Sequence, residues 1–185
     1  MALASRAFHI FALKVPEENT YSNSPYETAS IPAWHSNEAN GRVSNKEEIL
    51  MPNYWLLKTE PSVYSYADLE KAGKTVWDGV ANPLALKYLR TMQAGDLALI
   101  YHTGDEKQIV GIATVMRGGY PDPQADDPRL AVVDLAPKKK LAKPVTLATI
   151  KRRPEFADFA LVRLARLSVL PVSAAQWKQL LALAA

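Results

Sequence analysis

Trp77, Asp78 and Gly79 form the tripeptide in this 185-residue chain best suited to holding a planar ligand. An indole offers the widest ring for stacking, worth roughly 1–3 kcal/mol against a nucleobase. Asp78 can accept from an exocyclic amine, and Gly79 lets backbone come close to a ligand. That use of Trp77 requires an open slot beside its ring; core packing is the competing role. Lys58 lies within an apolar run, where a cation is costly to bury unpaired. It either points outward or meets a phosphate or a carboxylate such as Glu60 or Asp78. Asn82 can contact a ligand or cap a helix. Tyr101 and His102 close a strand, and His102 can serve a ligand edge or the fold. Tyr120 and Pro121 sit in a Pro- and Gly-rich stretch, where they could form a lid or a second aromatic wall.

Other chemistry is poorly supplied. The chain has no cysteine, which removes disulfides, thiolate metal sites and thiol nucleophiles. Residues 51–185 hold one histidine, His102, too few for a metal site of ordinary ligand count. No phosphate-cradling GxxxxGK[ST] or GxGxxG loop is present, and Gly118-Gly119 reads as a turn. No Ser-His-Asp set can be assembled. The enzymatic alternative is acid–base work by Asp78 or His102 on a nucleoside or another small ligand. No metal and no cofactor are expected.

Charge is uneven. Residues 1–50 carry 4 basic and 6 acidic side chains, against 18 and 13 in residues 51–185. The basic part suits a polyanionic partner without requiring one. Its lysines and arginines cluster at Lys138, Lys139, Lys140 and Lys143, then at Lys151, Arg152 and Arg153. Such clusters either bind phosphate backbone or form a solvated face.

The elements that must position these residues lie after Met51. Glu17 to Asn45 is rich in Glu, Asn, Ser, Thr and Pro and buries too little apolar surface to order itself. Residues 1–50 are therefore expected to be a disordered leader or a mis-annotated extension, with Met51 a plausible start. Trp34 and His35 are expected bystanders. Tyr54–Thr59 reads as a buried strand stopped by Pro61. Ser65–Lys71 reads as a helix capped by Ser65 and closed by Gly73. Asn82 and Pro83 open a second helix with a Leu86, Leu89, Met92 stripe. Asp96–His102 and Gln108–Arg117 form a hairpin, residues 118–129 a loop, Ala131–Leu141 a strand, Leu147–Arg152 a helical turn and Leu161–Val172 a further strand. Ser173 with Gln176 makes a capping box for a C-terminal helix. Strands with helices set between them and no regular βαβ alternation predict an α+β domain, with a mixed barrel hiding its sheet edges. No apolar run is long enough to cross a bilayer.

Tyr54-Trp55-Leu56-Leu57-Lys58-Thr59-Glu60-Pro61 and Trp77-Asp78-Gly79-Val80-Ala81-Asn82 resemble the opening signature of EVE domains. Met92-Gln93-Ala94-Gly95-Asp96, Tyr101-His102, Val110-Gly111-Ile112-Ala113, Tyr120-Pro121-Asp122 and Arg166-Leu167-Ser168-Val169 resemble later family segments in the same order. The resemblance covers nearly all of residues 51–185 and none of 1–50. It implies a PUA-like mixed β pseudo-barrel with peripheral helices, and kinship with YTH domains, which hold a methylated adenine in an aromatic cage. It implies a non-catalytic module that reads one modified base of DNA or RNA in an aromatic pocket. Lys58, Thr59, Glu60, Trp77, Asp78, Gly79, Val80, Asn82, Tyr101, His102, Tyr120 and Pro121 are then the expected ligand-binding residues. A cytoplasmic monomer is expected. Two departures stand out: Ala81 where the family commonly has Arg, and Leu86-Lys87 where it often has Arg-Asn.

Overall fold

The computed structural model describes residues 52–185; the readings made for residues 1–50 and Met51 lie outside them. Strand β1 (Tyr54–Thr59) leads through a turn into helix α1 (Tyr66–Ala72). Ser65 and Asp68 exchange hydrogen bonds as a capping box at its start, and Gly73 closes it at φ 72°. A side chain would make that left-handed conformation costly. Strand β2 (Thr75–Trp77) precedes helix α2 (Pro83–Thr91), where Asn82 Oδ1 accepts the N–H groups of Leu84 and Ala85 at 2.9 and 3.2 Å. Leu86, Leu89 and Met92 are buried, as the three-residue spacing predicts.

Strands β3 (Leu97–His102), β4 (Gln108–Pro121) and β5 (Ala131–Thr146) follow. Then come α3 (Leu147–Lys151), a single 3-10 turn, α4 (Ala160–Arg163), β6 (Val169–Val172) and α5 (Ala174–Leu183). The sheet order is β2-β5-β4-β3-β1-β6, with β1 and β3 parallel and the other neighbours antiparallel. Helix α2 packs against β4, β5 and β6 more than against the β3 and β1 that lie between them. In a flat sheet β5 and β6 would stand about 19 Å apart, four strand spacings. The sheet therefore bows around α2. The domain is α+β and barrel-like, with β2 and β6 as unjoined edges rather than a closed seam. Pro171 sits on the β6 edge, where no ladder needs its missing N–H.

The buried Asp96 carboxylate ties the α2–β3 turn to the start of β1. It accepts from Asn53 N at 2.9 Å, Asn53 Nδ2 at 3.2 Å, Trp55 Nε1 at 2.8 Å and Gln93 N at 3.0 Å.

Two expectations are corrected. Residues 118–121 belong to β4 and are not loop: Gly118-Gly119 is where the end of α2 lies on the strand. A Cβ at Gly119 would fall 2.3 Å from the Leu89 carbonyl oxygen, and one at Gly118 2.5 Å from that of Met92. Residues 161–172 are not one strand but α4, a connecting turn and β6. A short apolar run carries no period that separates helix from strand. Strand β5 also runs five residues past the expected Leu141.

Candidate functional site

The C-terminal ends of β1 and β3 lie side by side, with Lys58 opposite Tyr101 and Thr59 opposite His102. Most polar groups there serve the fold. Thr59 Oγ1 donates to the Tyr64 carbonyl at 2.8 Å. Glu60 accepts from Thr103 Oγ1 at 2.7 Å, and a Cβ at Gly104 would sit 2.7 Å from the same carboxylate. His102 is buried, with Nε2 accepting the Tyr66 N–H at 3.0 Å and Nδ1 2.7 Å from Glu106 Oε2. These partners assign the proton to Nδ1 and leave neither nitrogen for a ligand. The expected ligand role of His102 is thus corrected to a structural one, and it loses its place as an acid–base group. Tyr101 is buried beneath Lys58.

Trp77 does not face an open slot. It is 5% exposed, pairs across the ladder with the fully buried Val133, and meets Tyr64 edge-to-face at 6.5 Å. The side of β2 that carries the indole points into the core. Val80 is likewise buried, whereas Gly79 is exposed at φ 70°. Asp78 is half-buried; its Oδ1 has no hydrogen-bond partner within the protein. Burial, and then the charge of Asp122, pushes its carboxyl up to about 6. The Tyr64 hydroxyl is also without a partner, with the Thr75 side chain close by but lacking normal hydrogen-bond geometry.

Tyr120 and Pro121 form no lid. They pair with Val132 and Ala131 in the β4–β5 ladder. The Arg117 guanidinium lies 3.7 Å over the Tyr120 ring, and the hydroxyl contacts Asp134 at 2.5 Å. Burial first, then Asp134, pushes that hydroxyl up to about 12. This is a fixed strand-end cluster, not a mobile wall.

A cleft opens elsewhere, between the start of α2 and the turn before β6. Its volume is about 320 Å³, and Asn82, Leu84, Leu164, Ala165, Arg166 and Leu167 line it. Leu84 and Leu164 are 42% and 45% exposed and give it apolar walls. Asn82 keeps its Nδ2 donor because capping uses only Oδ1. Lys58 Nζ donates to the carbonyls of Leu164 at 3.5 Å and Ala165 at 3.1 Å and stands 6.0 Å from the Tyr101 ring centroid. Burial lowers its ammonium to about 8. Of the expected site residues Asn82 lines the cleft, and Lys58 stands beside it through the carbonyls of two lining residues; Trp77, Asp78, Tyr120 and Pro121 do not line it. Leu84 and Leu164–Leu167 were not identified from sequence. One available signal was Leu84, which falls off the buried α2 stripe yet is large and apolar.

Lys138, Lys139, Lys140 and Lys143 are exposed on β5 beyond Leu135, where its pairing with β2 has ended. Lys151, Arg152 and Arg153 are exposed at the end of α3, with Arg153 3.3 Å from Glu155. Among the described residues no group of three or more His, Asp or Glu could hold a metal ion, and no helix is long and apolar enough to cross a membrane.

Comparison with known proteins places this geometry in a family. Thymocyte nuclear protein 1 of Danio rerio is 28% identical, over 77% of this chain and 78% of that protein. Its mammalian counterparts are matched over only 56% of their length. The solution structure of Rpa0253 from Rhodopseudomonas palustris is 42% identical with a TM-score of 0.68, covering 71% of this chain and 92% of that one. Human THYN1, solved in complex with DNA containing 5-methylcytosine, is 26% identical with a TM-score of 0.65, covering 71% and 97%. The EVE domain profile matches residues 53–183, and the chain belongs to the EVE domain family.

Proposed function

We propose that this domain is a non-catalytic nucleic-acid-binding module that takes one modified base of DNA or RNA into the cleft between α2 and the turn before β6. The observation that carries the reading is that cleft: two exposed leucines form walls, Asn82 and Arg166 line it, Lys58 is bonded to the carbonyls of two lining residues, and its volume lies at the small end of the range for ligand sites. A base lifted out of its stack needs this combination of apolar sandwich and edge donors. Kinship with THYN1, solved with 5-methylcytosine DNA, supports the choice of ligand class.

The cleft holds the base between aliphatic walls, and Trp77 belongs to the core. The lysines of β5 and the basic end of α3 contact phosphate backbone. Catalysis is disfavoured because His102 is fully engaged and Asp78 neighbours Asp122 instead of His102. A cytoplasmic, monomeric protein completes the proposal.

The test is fluorescence anisotropy with labelled oligonucleotides that carry either cytosine or 5-methylcytosine, titrated with wild type and with Leu164→Asp. Binding that favours the modified strand and falls at least about tenfold in the variant is the expected result. Equal binding by both proteins would remove the cleft from the interface.

A further inference from the structure

The polar side chains in the cleft, and Lys58 beside it, have donors to offer. Asn82 retains Nδ2, Arg166 has only N–H groups, and Lys58 has three N–H donors, of which two carbonyls take two. The Leu164 and Ala165 carbonyl oxygens are already engaged by Lys58. An occupant that brings acceptors is matched by these side chains.

The charge is also unbalanced. Among the described residues no ion pair engages Lys58 or Arg166. Lys58 is held inward over the Tyr101 ring, and no carboxylate pairs with it there. Removing a cation from water without a counter-charge is unfavourable. The lowered Lys58 ammonium is a sign of that cost. A planar guanidinium two residues beyond Leu164 adds a fork suited to phosphate oxygens.

We infer that Lys58 and Arg166 form a phosphate subsite at the cleft, so that the unit it takes is a nucleotide with its own phosphate and not a neutral nucleoside. The phosphate supplies the missing counter-charge to Lys58 and accepts the Arg166 fork. The leucine walls hold the base, and Asn82 Nδ2 donates to an acceptor on its edge, such as the O2 or N3 of a cytosine. This deepens the proposed function and rests on it for the identity of the apolar part of the ligand. The phosphate contact stands on Lys58 and Arg166 alone.

The experiment is an amide NMR titration of the full chain with deoxycytidine 5′-monophosphate, deoxycytidine and inorganic phosphate in turn. The monophosphate is expected to shift the resonances of residues 58, 82 and 164–167 and to bind at least about tenfold more tightly than the nucleoside. Lys58→Met and Arg166→Ala should each abolish that preference. Arg166 is exposed, so its variant reports even if Lys58→Met fails to fold. Equal affinity for nucleoside and monophosphate, or a preference that survives Arg166→Ala, overturns the subsite. So does the absence of shifts with either phosphate probe, in which case the oligonucleotide titration still judges base reading separately. Inorganic phosphate that matches the monophosphate in affinity and shift pattern supports the phosphate subsite while the base-holding role falls.

Discussion

The Tyr66 ring lies against Gly111, so closely that a methyl added at Gly111 would stand 2.4 Å from two ring carbons. The Tyr66 hydroxyl donates to the neighbouring Ile112 carbonyl at 2.9 Å, which locks the ring in place. Helix α1 is thereby fixed to β4 by one aromatic plate and one hydrogen bond. Gly111→Ala has no room without moving a fully buried side chain. A loss of about 1–3 kcal/mol is expected from urea denaturation, the usual cost of overpacking. Gly73→Ala meets no neighbour within 4 Å, yet it sits at positive φ and should cost about 1 kcal/mol through backbone strain alone.

His102 continues the same attachment, since its Nε2 accepts the first N–H of α1. Removing the ring leaves a buried donor without a partner and opens a cavity. His102→Ala should lower stability by about 2–4 kcal/mol. Hydrogen exchange should show α1 opening before the rest of the domain. Nucleic-acid affinity per folded molecule should stay within about twofold of wild type, close to the reach of surface changes. Lost affinity at unchanged stability would instead place His102 at the ligand.

What the sequence revealed here depended on range. Ser65 with Asp68, Asn82 with Pro83 and Ser173 with Gln176 are complete within four residues, and all three helix starts were legible. The Gly118-Gly119 strand was not, because its cause is the end of α2, nearly 30 residues earlier in the chain. Trp77 was misjudged because polar sequence neighbours do not reveal which side of a three-residue edge strand faces the core. The cleft joins Asn82 to residues 164–167, over 80 positions apart, and no local pattern links them. Lys58 was legible as an anomaly, a cation inside an apolar strand, because burial cost can be read from residue type alone.

Asp78 should make stability fall across mildly acid pH. Burial and Asp122 raise its carboxyl from 3.8 to about 6 in the folded chain. The native state therefore holds this proton more tightly than the unfolded chain does. Stability from this group is fully present below about pH 4 and is lost as pH rises through about 6. Asp78→Asn mimics the protonated form. It should be more stable than wild type at pH 7, by about 1 kcal/mol or less given that the group is half exposed. The difference should vanish near pH 4. Thermal melts of both proteins at pH 4, 5, 6 and 7 give the answer, and a constant difference across the series would mean that the charge on Asp78 is not what the site resists.

The lysines of β5 face two physical explanations that predict different salt behaviour. Past Leu135 the strand has lost its β2 partner, and lysine on an exposed edge discourages pairing with another chain. Contact with phosphate is the other use, and it releases counterions. Replacing Lys138, Lys139 and Lys140 with Ala together should weaken binding to every oligonucleotide, modified or not, by a similar factor. If all three touch phosphate, the slope of log affinity against log salt should become shallower by about 2–3. Preference for the modified base should not change, since a backbone contact carries no base information. Should the slope stay the same while the variant begins to self-associate in sedimentation, edge protection is the role of these lysines, and the phosphate track must be sought at Lys151, Arg152 and Arg153.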